Sequence, residues 1–451
     1  MFKKILIANR GEIALRIIRA CREMGIKSVA VHSTADQNSM HVGLADESIC
    51  IGPPASRDSY LNIPAIISAA SISDADAIHP GVGFLSENAE FAQIVEEHGL
   101  IFIGPSPEHI KIMGDKITAK NAVKQLGIPV VPGTEKPIDT DDEAYEFCGT
   151  IGFPVLIKAA GGGGGKGMQI VHKKEQLSEA LSIARHEAKT NFGNDQVFIE
   201  KFLITPRHIE IQVLADNYGN VIHLGERDCS IQRRHQKVWE EAPSPALDDK
   251  ARFALGELVT NAVKGLGYRG VGTFEFLYEN GEFFFIEMNT RLQVEHPVSE
   301  FITGIDLVRE QILVASGEKL TLTQKDVHFK GHAIECRINA EDPETFFPSP
   351  GKVTTYHTPG GLGVRVDSHL YTGYHVPPYY DSLVSKLVVY GDTRAQAIGR
   401  VRRALKEYVI TGIATNIPLH QRLCDNDDVN SGNYHIHWLE EWLEKEAKEK
   451  N

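Results

Sequence analysis

The sequence has 451 residues, 42% of them hydrophobic and 24% charged, with a formal net charge of -13. That length suggests roughly three domains of about 150 residues, and the composition is that of a soluble globular protein with no run of about 20 apolar residues to span a membrane. The acidic surplus repels polyanions and so argues against nucleic acid as a partner, while six scattered cysteines without a CxxC pair suit a reduced, cytoplasmic protein.

In chain order, Ile5-Leu6-Ile7-Ala8 follows two lysines but is cut at once by Asn9-Arg10-Gly11-Glu12, so it reads as a first strand and not as a secretion signal. Ile13, Ile17, Cys21 and Met24 then recur at helical spacing before Gly25. Strands are predicted at 29–31, 48–51, 75–78 and 100–103, with helices at 63–70 and 89–98. This alternation predicts a doubly wound α/β domain over about the first 110 residues. Residues 9–12 lack the spaced glycines of a dinucleotide fingerprint and are read as scaffold.

A second unit is predicted from about Pro129 to Phe202, opened by a proline-bearing stretch at 128–133. Within it a strand at 154–160 runs into five glycines, Gly161 to Gly165, then Lys166 and another strand at 169–171. Glycine runs are more often linkers, but one held between two apolar strands with a lysine on each side suits a hairpin lid whose backbone N–H groups cover phosphates. The GxxxxGK[ST] spacing of a Walker loop is absent. The period of two places Leu156, Lys158 and Ala160 on one face, which predicts that Lys158 points inward toward an anion. Lys116 alone reads as a solvated lysine. From about Leu203 a third unit is predicted, with strands at 209–214 and 283–287 and closing helices at 395–409 and 437–448.

The densest chemical signal is a hairpin: Gly272-Thr273-Phe274-Glu275-Phe276, a turn at Glu279-Asn280-Gly281, then Phe283 to Arg291. Alternation places Glu275, Glu287 and Asn289 among aromatic residues on adjacent strands, and with no basic residue inside either strand these hard oxygen ligands predict Mg²⁺. Arg233-Arg234-His235-Gln236-Lys237 is a local basic cluster in an acidic chain and suits a small anion. In Ala333 to Asn339 the residues Ile334, Cys336 and Ile338 face a core, so Arg337 is predicted to point to solvent or a cleft.

Four segments together resemble the biotin carboxylase family of ATP-grasp enzymes: Ile7 to Ala14, Gly83 to Asn88, Arg227 to Lys237, and Glu287 to Pro297. The resemblance runs along essentially the whole chain. It implies an ATP-grasp fold, α/β and α+β in class, with a Rossmann-like domain at 1–114, a lid region with the glycine loop at 115–202, a catalytic core at 203–330 and a C-terminal mixed β/α domain at 331–447. It implies that Lys116, Lys158, Gly164, Gly165 and His208 hold ATP phosphates. Glu200, Lys201, Phe202 and Leu203 match the adenine hinge, and Gln232, His235, Leu277 and Ile436 its surroundings. Glu275, Glu287 and Asn289 match ligands of Mg²⁺ or Mn²⁺, two ions in all. Lys237, Arg291, Gln293 and Val294 match the bicarbonate pocket, Glu295 the general base, and Arg337 the cation that stabilises the biotin enolate.

The activity so implied is ATP-dependent carboxylation of biotin on a biotin carboxyl carrier protein, through carboxyphosphate. Removing the bicarbonate proton makes it a nucleophile, and phosphoryl transfer then needs mainly positioning and charge neutralisation. A closing lid protects the intermediate from water. With no biotinylated lysine motif and no carboxyltransferase region, the chain is expected to be the separate, homodimeric subunit of a bacterial acetyl-CoA carboxylase, working with carboxyltransferase subunits. Subunits of pyruvate or propionyl-CoA carboxylases are alternatives, as is another ATP-grasp ligase. A nucleotide-binding regulator without turnover is disfavoured because every catalytic position is filled. One departure stands out: the family's His-Pro-Gly-Tyr-Gly-Phe is here His79-Pro80-Gly81-Val82-Gly83-Phe84, which predicts altered handling of biotin.

Overall fold

A computed structural model describes residues 1–159, 168–192 and 195–450. The chain forms two compact units: Met1–Ile128, Arg207–Phe276 and Glu287–Asn451 make the first, Pro129–Pro206 and Leu277–Ile286 the second.

The first unit begins with a five-stranded parallel sheet in the order Glu47–Gly52, Lys27–Ser33, Lys4–Ile7, Ala77–His79, Ile101–Phe102. Alternation along the first strand decides which helices cover which face. Ile5 and Ile7 pack with Ile13, Ile17 and Cys21 of helix Gly11–Glu23, whereas Leu6 and Ala8 join Val29, Ile66 and Phe91 in a second cluster. The expected doubly wound order is therefore present. Gly11 opens its helix at φ 69°, a left-handed value that favours glycine. Asn9 donates to the carbonyls of Pro80 and Val82 at 2.7 Å each, and Arg10 forks onto Asp36 at 2.6 and 2.8 Å. Asn9 thus braces the 79–84 loop, and Arg10 the turn at Thr34–Asp36. Val82 itself is half-buried against the Ile5–Ile13 cluster, so it contributes to packing.

His41 is fully buried in this unit, its Nδ1 3.0 Å from Ser39 Oγ, and burial pushes its pKa down to about 4. A histidine kept neutral on folding gives stability that is complete above its unfolded pKa of about 6.5 and falls as pH drops toward the folded value. His41→Gln is expected to flatten the pH dependence of unfolding free energy between 6.5 and 4 by up to about 1.4 kcal/mol per pH unit. Urea titrations at several pH values check this, and unchanged slopes would contradict it.

The rest of the first unit is built on an antiparallel sheet. Its strand order is Glu282–Asn289, Gly270–Glu279, Arg207–Ala215, Val221–Arg233, Gln236–Ala242, His332–Asn339, Leu383–Gly391, Val364–Ser368. The strand predicted at 209–214 is thus central, and Glu210 and Gln212 are buried along with Ile211 between them. Arg234 and His235 turn the hairpin at φ 47° and 64°, left-handed values without a glycine, a costly conformation of the kind concentrated at functional sites.

One expectation is corrected here. The helix predicted at 395–409 ends at Glu407, because Tyr408 is extended and the β-branched run Val409–Thr411 pairs with Thr355–His357 instead. The face carrying Glu335 and Arg337 is not open: helix His296–Thr303 packs on this strand, Glu335 is fully buried and Arg337 largely so.

In the second unit, strands Met168–Val171, Val155–Ala159 and Val197–Lys201 form an antiparallel sheet with Val155–Ala159 in the middle. Helices Asp141–Ile151 and Leu177–Phe192 cover it through Ala144, Cys148, Leu177 and Leu181. Val155 and Ile157 fill that core. By alternation Lys158 lies on the other face, half-exposed and paired with Glu200, so the expectation that it points inward is corrected. The hairpin turn does form at Asn280 and Gly281, φ 52° and 87°, as an Asn-Gly pair favours.

Candidate active site

Three strands and one helix start converge at Lys237. Its ammonium donates to Glu210 Oε2 at 2.6 Å, Glu295 Oε1 at 2.7 Å and Glu275 Oε1 at 3.0 Å. Glu210 and Glu275 come from neighbouring strands, and Glu295 precedes helix His296–Thr303. Burial alone would lower the lysine pKa, but three carboxylates hold it well above the usual range. Burial would raise Glu295, yet Lys237 and Arg337 keep its pKa down at about 2. His208 lies 3.0 Å from Glu275, and although burial opposes its charge, Glu275 raises its pKa to about 9.

Beneath this cluster Arg227 is completely buried and every donor is used. It donates to Glu210 at 2.5 Å, Gln212 at 2.7 Å, Ser299 at 3.0 Å, Thr273 at 3.2 Å and to Gln293 Oε1. The Gln293 amide is thereby oriented, and its Nε2 donates to Glu275 Oε1 at 2.7 Å. Lys386, also fully buried, donates to the Val294 carbonyl at 2.8 Å and lies 3.2 Å from Glu12. Two interior cations therefore hold Gln293 and Val294.

Arg337 donates through Nε to Glu240 Oε1 at 2.5 Å and through Nη2 to Glu295 Oε2 at 2.8 Å. Arg291 reaches Glu87 at 2.9 Å and Asn289 Oδ1 at 2.8 Å, and Asn289 in turn donates to Glu275 at 2.8 Å. The structure thus brings Lys237, Gln293, Glu295, Arg337, Glu275, Asn289 and Arg291 into one connected network.

The donor set fits a divalent cation at the hairpin acids. Glu287 is half-buried, and among the described residues no hydrogen bond or ion pair is made to its carboxylate. Burial raises its pKa, Glu275 adds to the rise and Lys116 opposes it. A half-buried carboxylate beside another acid calls for positive charge, and oxygen ligands of this kind suit Mg²⁺. Asn289 Oδ1 retains a second lone pair beyond its bond from Arg291. No basic residue lies within the two hairpin strands, yet Glu275 has basic partners from other strands. His208 reaches Glu275 from the neighbouring strand and Lys237 from across two intervening strands, 38 residues away in sequence.

Of the remaining expected residues in the first unit, Lys116 starts helix Lys116–Gln125, whose N-cap Asp115 accepts from Thr118 at 2.8 Å. Gln232 is buried, His235 is exposed at the strained turn and Ile436 is half-buried. In the second unit, Glu200 pairs with Lys158, and Leu203 is buried while Phe202 and Leu277 are half-buried. Lys201 donates from Nζ to the carbonyls of Ile151, Gly152 and Phe153 at 3.2–3.3 Å, so its side chain closes a helix end. Gly164 and Gly165 lie outside the described residues. Sequence reading missed Glu87, Glu210, Arg227, Glu240 and Lys386. Glu210 alternates with Ile209, Ile211 and Val213, which is the pattern of a solvent-facing position, so no local signal marked it.

Residues 115–323 match the ATP binding domain of the carbamoyl-phosphate synthase L chain family, which together with the fold defines an ATP-grasp enzyme. Residues 1–110 match the biotin carboxylase N-terminal domain and 335–441 the biotin carboxylase C-terminal domain. Biotin carboxylase of Haemophilus influenzae is 59% identical over 444 residues, 98% of this chain and 99% of that one. A biotin carboxylase crystal structure from Campylobacter jejuni, named as a complex with β,γ-ATP, has TM-score 0.90 at 50% identity and covers 98% of this chain and 99% of its own. The biotin carboxylase domain of a thermophilic 2-oxoglutarate carboxylase, described as bound to bicarbonate, has TM-score 0.94 at 47% identity over 98% of both chains. The chain belongs to the biotin carboxylase family: it is an ATP-dependent carboxylase, a ligase.

Proposed function

We propose that the protein carboxylates biotin borne on a carrier protein, for an acetyl-CoA carboxylase in the cytoplasm, and that it does so as a homodimer with carboxyltransferase subunits as partners. In this reading the domains are 1–114, 115–202, 203–330 and 331–447. Lys116, Lys158, His208, Gly164 and Gly165 hold the ATP phosphates. Glu200, Lys201, Phe202, Leu203, Gln232, His235, Leu277 and Ile436 surround the adenine. Glu275, Glu287 and Asn289 hold Mg²⁺ or Mn²⁺, which when bound would neutralise phosphate oxygens.

The observation that carries the chemical reading is Glu295 held between Lys237 and Arg337, at 2.7 and 2.8 Å. Bicarbonate binds beside Lys237, Arg291, Gln293 and the Val294 backbone. While both cations rest on Glu295 its pKa of about 2 makes it a poor base. Once Lys237 turns part of its charge to the substrate anion, Glu295 regains basicity and takes the bicarbonate proton. The bicarbonate oxygen then attacks the γ-phosphoryl and ADP leaves. Carboxyphosphate breaks to CO₂ and phosphate, phosphate takes the biotin N1 proton, and N1 attacks CO₂ while Arg337 stabilises the ureido oxyanion.

Glu295→Ala and Arg337→Ala are each expected to lower biotin carboxylation by at least about 10²-fold. The acceptor is tested by reconstitution with biotinylated carrier protein and carboxyltransferase subunits. Malonyl-CoA from acetyl-CoA is expected; turnover of only propionyl-CoA or pyruvate would reassign the complex.

A further inference from the structure

We propose that Glu240 is a positioning residue for biotin carboxylation, fixing the Arg337 guanidinium from behind so that its remaining nitrogen faces the substrate. This rests on the reading of Arg337 given above. Glu240 lies on strand Gln236–Ala242 and is fully buried. Its Oε1 accepts the Arg337 Nε–H at 2.5 Å, and Arg337 Nη2 is on Glu295 at 2.8 Å. Two bonds on different nitrogens fix both the plane and the tilt of a guanidinium, because its donors are coplanar. Nη1 is then the nitrogen left for a developing oxyanion.

A second observation supports a dedicated role. Directly across the ladder from Glu240 is Glu335, fully buried, and among the described residues neither of its carboxyl oxygens has a hydrogen-bond partner; Glu240 Oε2 likewise has none there. Arg337 is the register partner of Lys386, the lysine that holds the Val294 carbonyl. Two buried acids facing each other cannot both ionise cheaply, so one proton is retained between them. Burial raises the pKa of both, but only Glu240 accepts a hydrogen bond from the Arg337 guanidinium, which opposes the rise there, so the retained proton rests on Glu335 and the carboxylate charge on Glu240. Burying such a pair costs stability that an apolar pair would not.

The test compares Glu240→Ala, Glu240→Gln and Glu240→Asp with Arg337→Ala in the full chain. Two rates are followed: carboxylation of free biotin, and bicarbonate-dependent ATP hydrolysis without biotin. Glu240→Ala is expected to lower kcat for biotin by about 10–100-fold, as a displacement near 1 Å does. The KM for biotin should change less than kcat, and hydrolysis without biotin should keep more than about a third of its rate. Glu240→Gln keeps an oxygen for Nε and is expected to restore most of kcat. If Glu240→Ala does not fold, Glu240→Asp, which withdraws the carboxylate by one methylene, is expected to show the same split. Full biotin activity in both Ala and Asp variants would overturn the proposal, as would an equal fall in the two rates. Full biotin activity in Arg337→Ala would instead overturn the reading of Arg337.

Discussion

Replacing Lys237 with glutamine is expected to lower biotin carboxylation by about 10²- to 10³-fold, the usual cost of losing one preorganised charged donor at a reacting oxygen. The lysine neutralises Glu210, Glu275 and Glu295 at once, at 2.6–3.0 Å. Without it, buried carboxylates lose their common cation and take up protons, Glu295 among them. Glu295 must be ionised to act as a base, so activity is lost as pH falls through its pKa. With Lys237 present that pKa is held near 2, and in Lys237→Gln it rises. The acid limb of kcat/KM is therefore expected to move to higher pH in the variant. A rate loss with an unmoved acid limb would show that Lys237 acts on the substrate alone.

Arg227→Met is expected to destabilise the protein by about 3–5 kcal/mol, the range for removing one partner of a buried ion pair. No part of Arg227 is exposed, and its loss leaves the Glu210 oxygen, Gln212, Thr273, Ser299 and Gln293 without their donor. The neighbouring Lys237 keeps Glu210 from being wholly unpaired, which places the loss toward the lower end of that range. Gln293 would also lose its orientation, so the KM for bicarbonate is expected to rise in whatever folded protein remains. The midpoint of urea unfolding checks the first effect, and a change below about 1 kcal/mol would contradict it.

How much of this was legible differs from residue to residue. The strand and helix alternation of the first hundred residues was read correctly because each apolar period is local, and Ile5–Ala8 shows it directly. The hairpin acids were legible for the same reason: Asn280-Gly281 marks the turn and alternation fixes the face. Lys158 was misjudged because the period of two gives two faces without saying which is buried; Val155 and Ile157 took the core. Arg337 lies partly exposed beside Glu295, within the expected alternative of a cleft, but the burial of Glu335 was not legible because nothing local announces helix His296–Thr303 covering its strand. The pairing of Lys237, Glu295 and Arg337 came from family resemblance, since their contacts span 42 to 58 positions in the chain. Glu240 and Arg227 escaped altogether, for a buried charge in a strand looks like a surface one until its neighbouring strands are known.

The most direct measurement is carboxybiotin formation from labelled bicarbonate, MgATP and free biotin, with ADP followed in the same reaction. The account predicts label in carboxybiotin and ADP release that depends on bicarbonate. ADP release at the same rate without bicarbonate, or no label transferred to biotin, would contradict it.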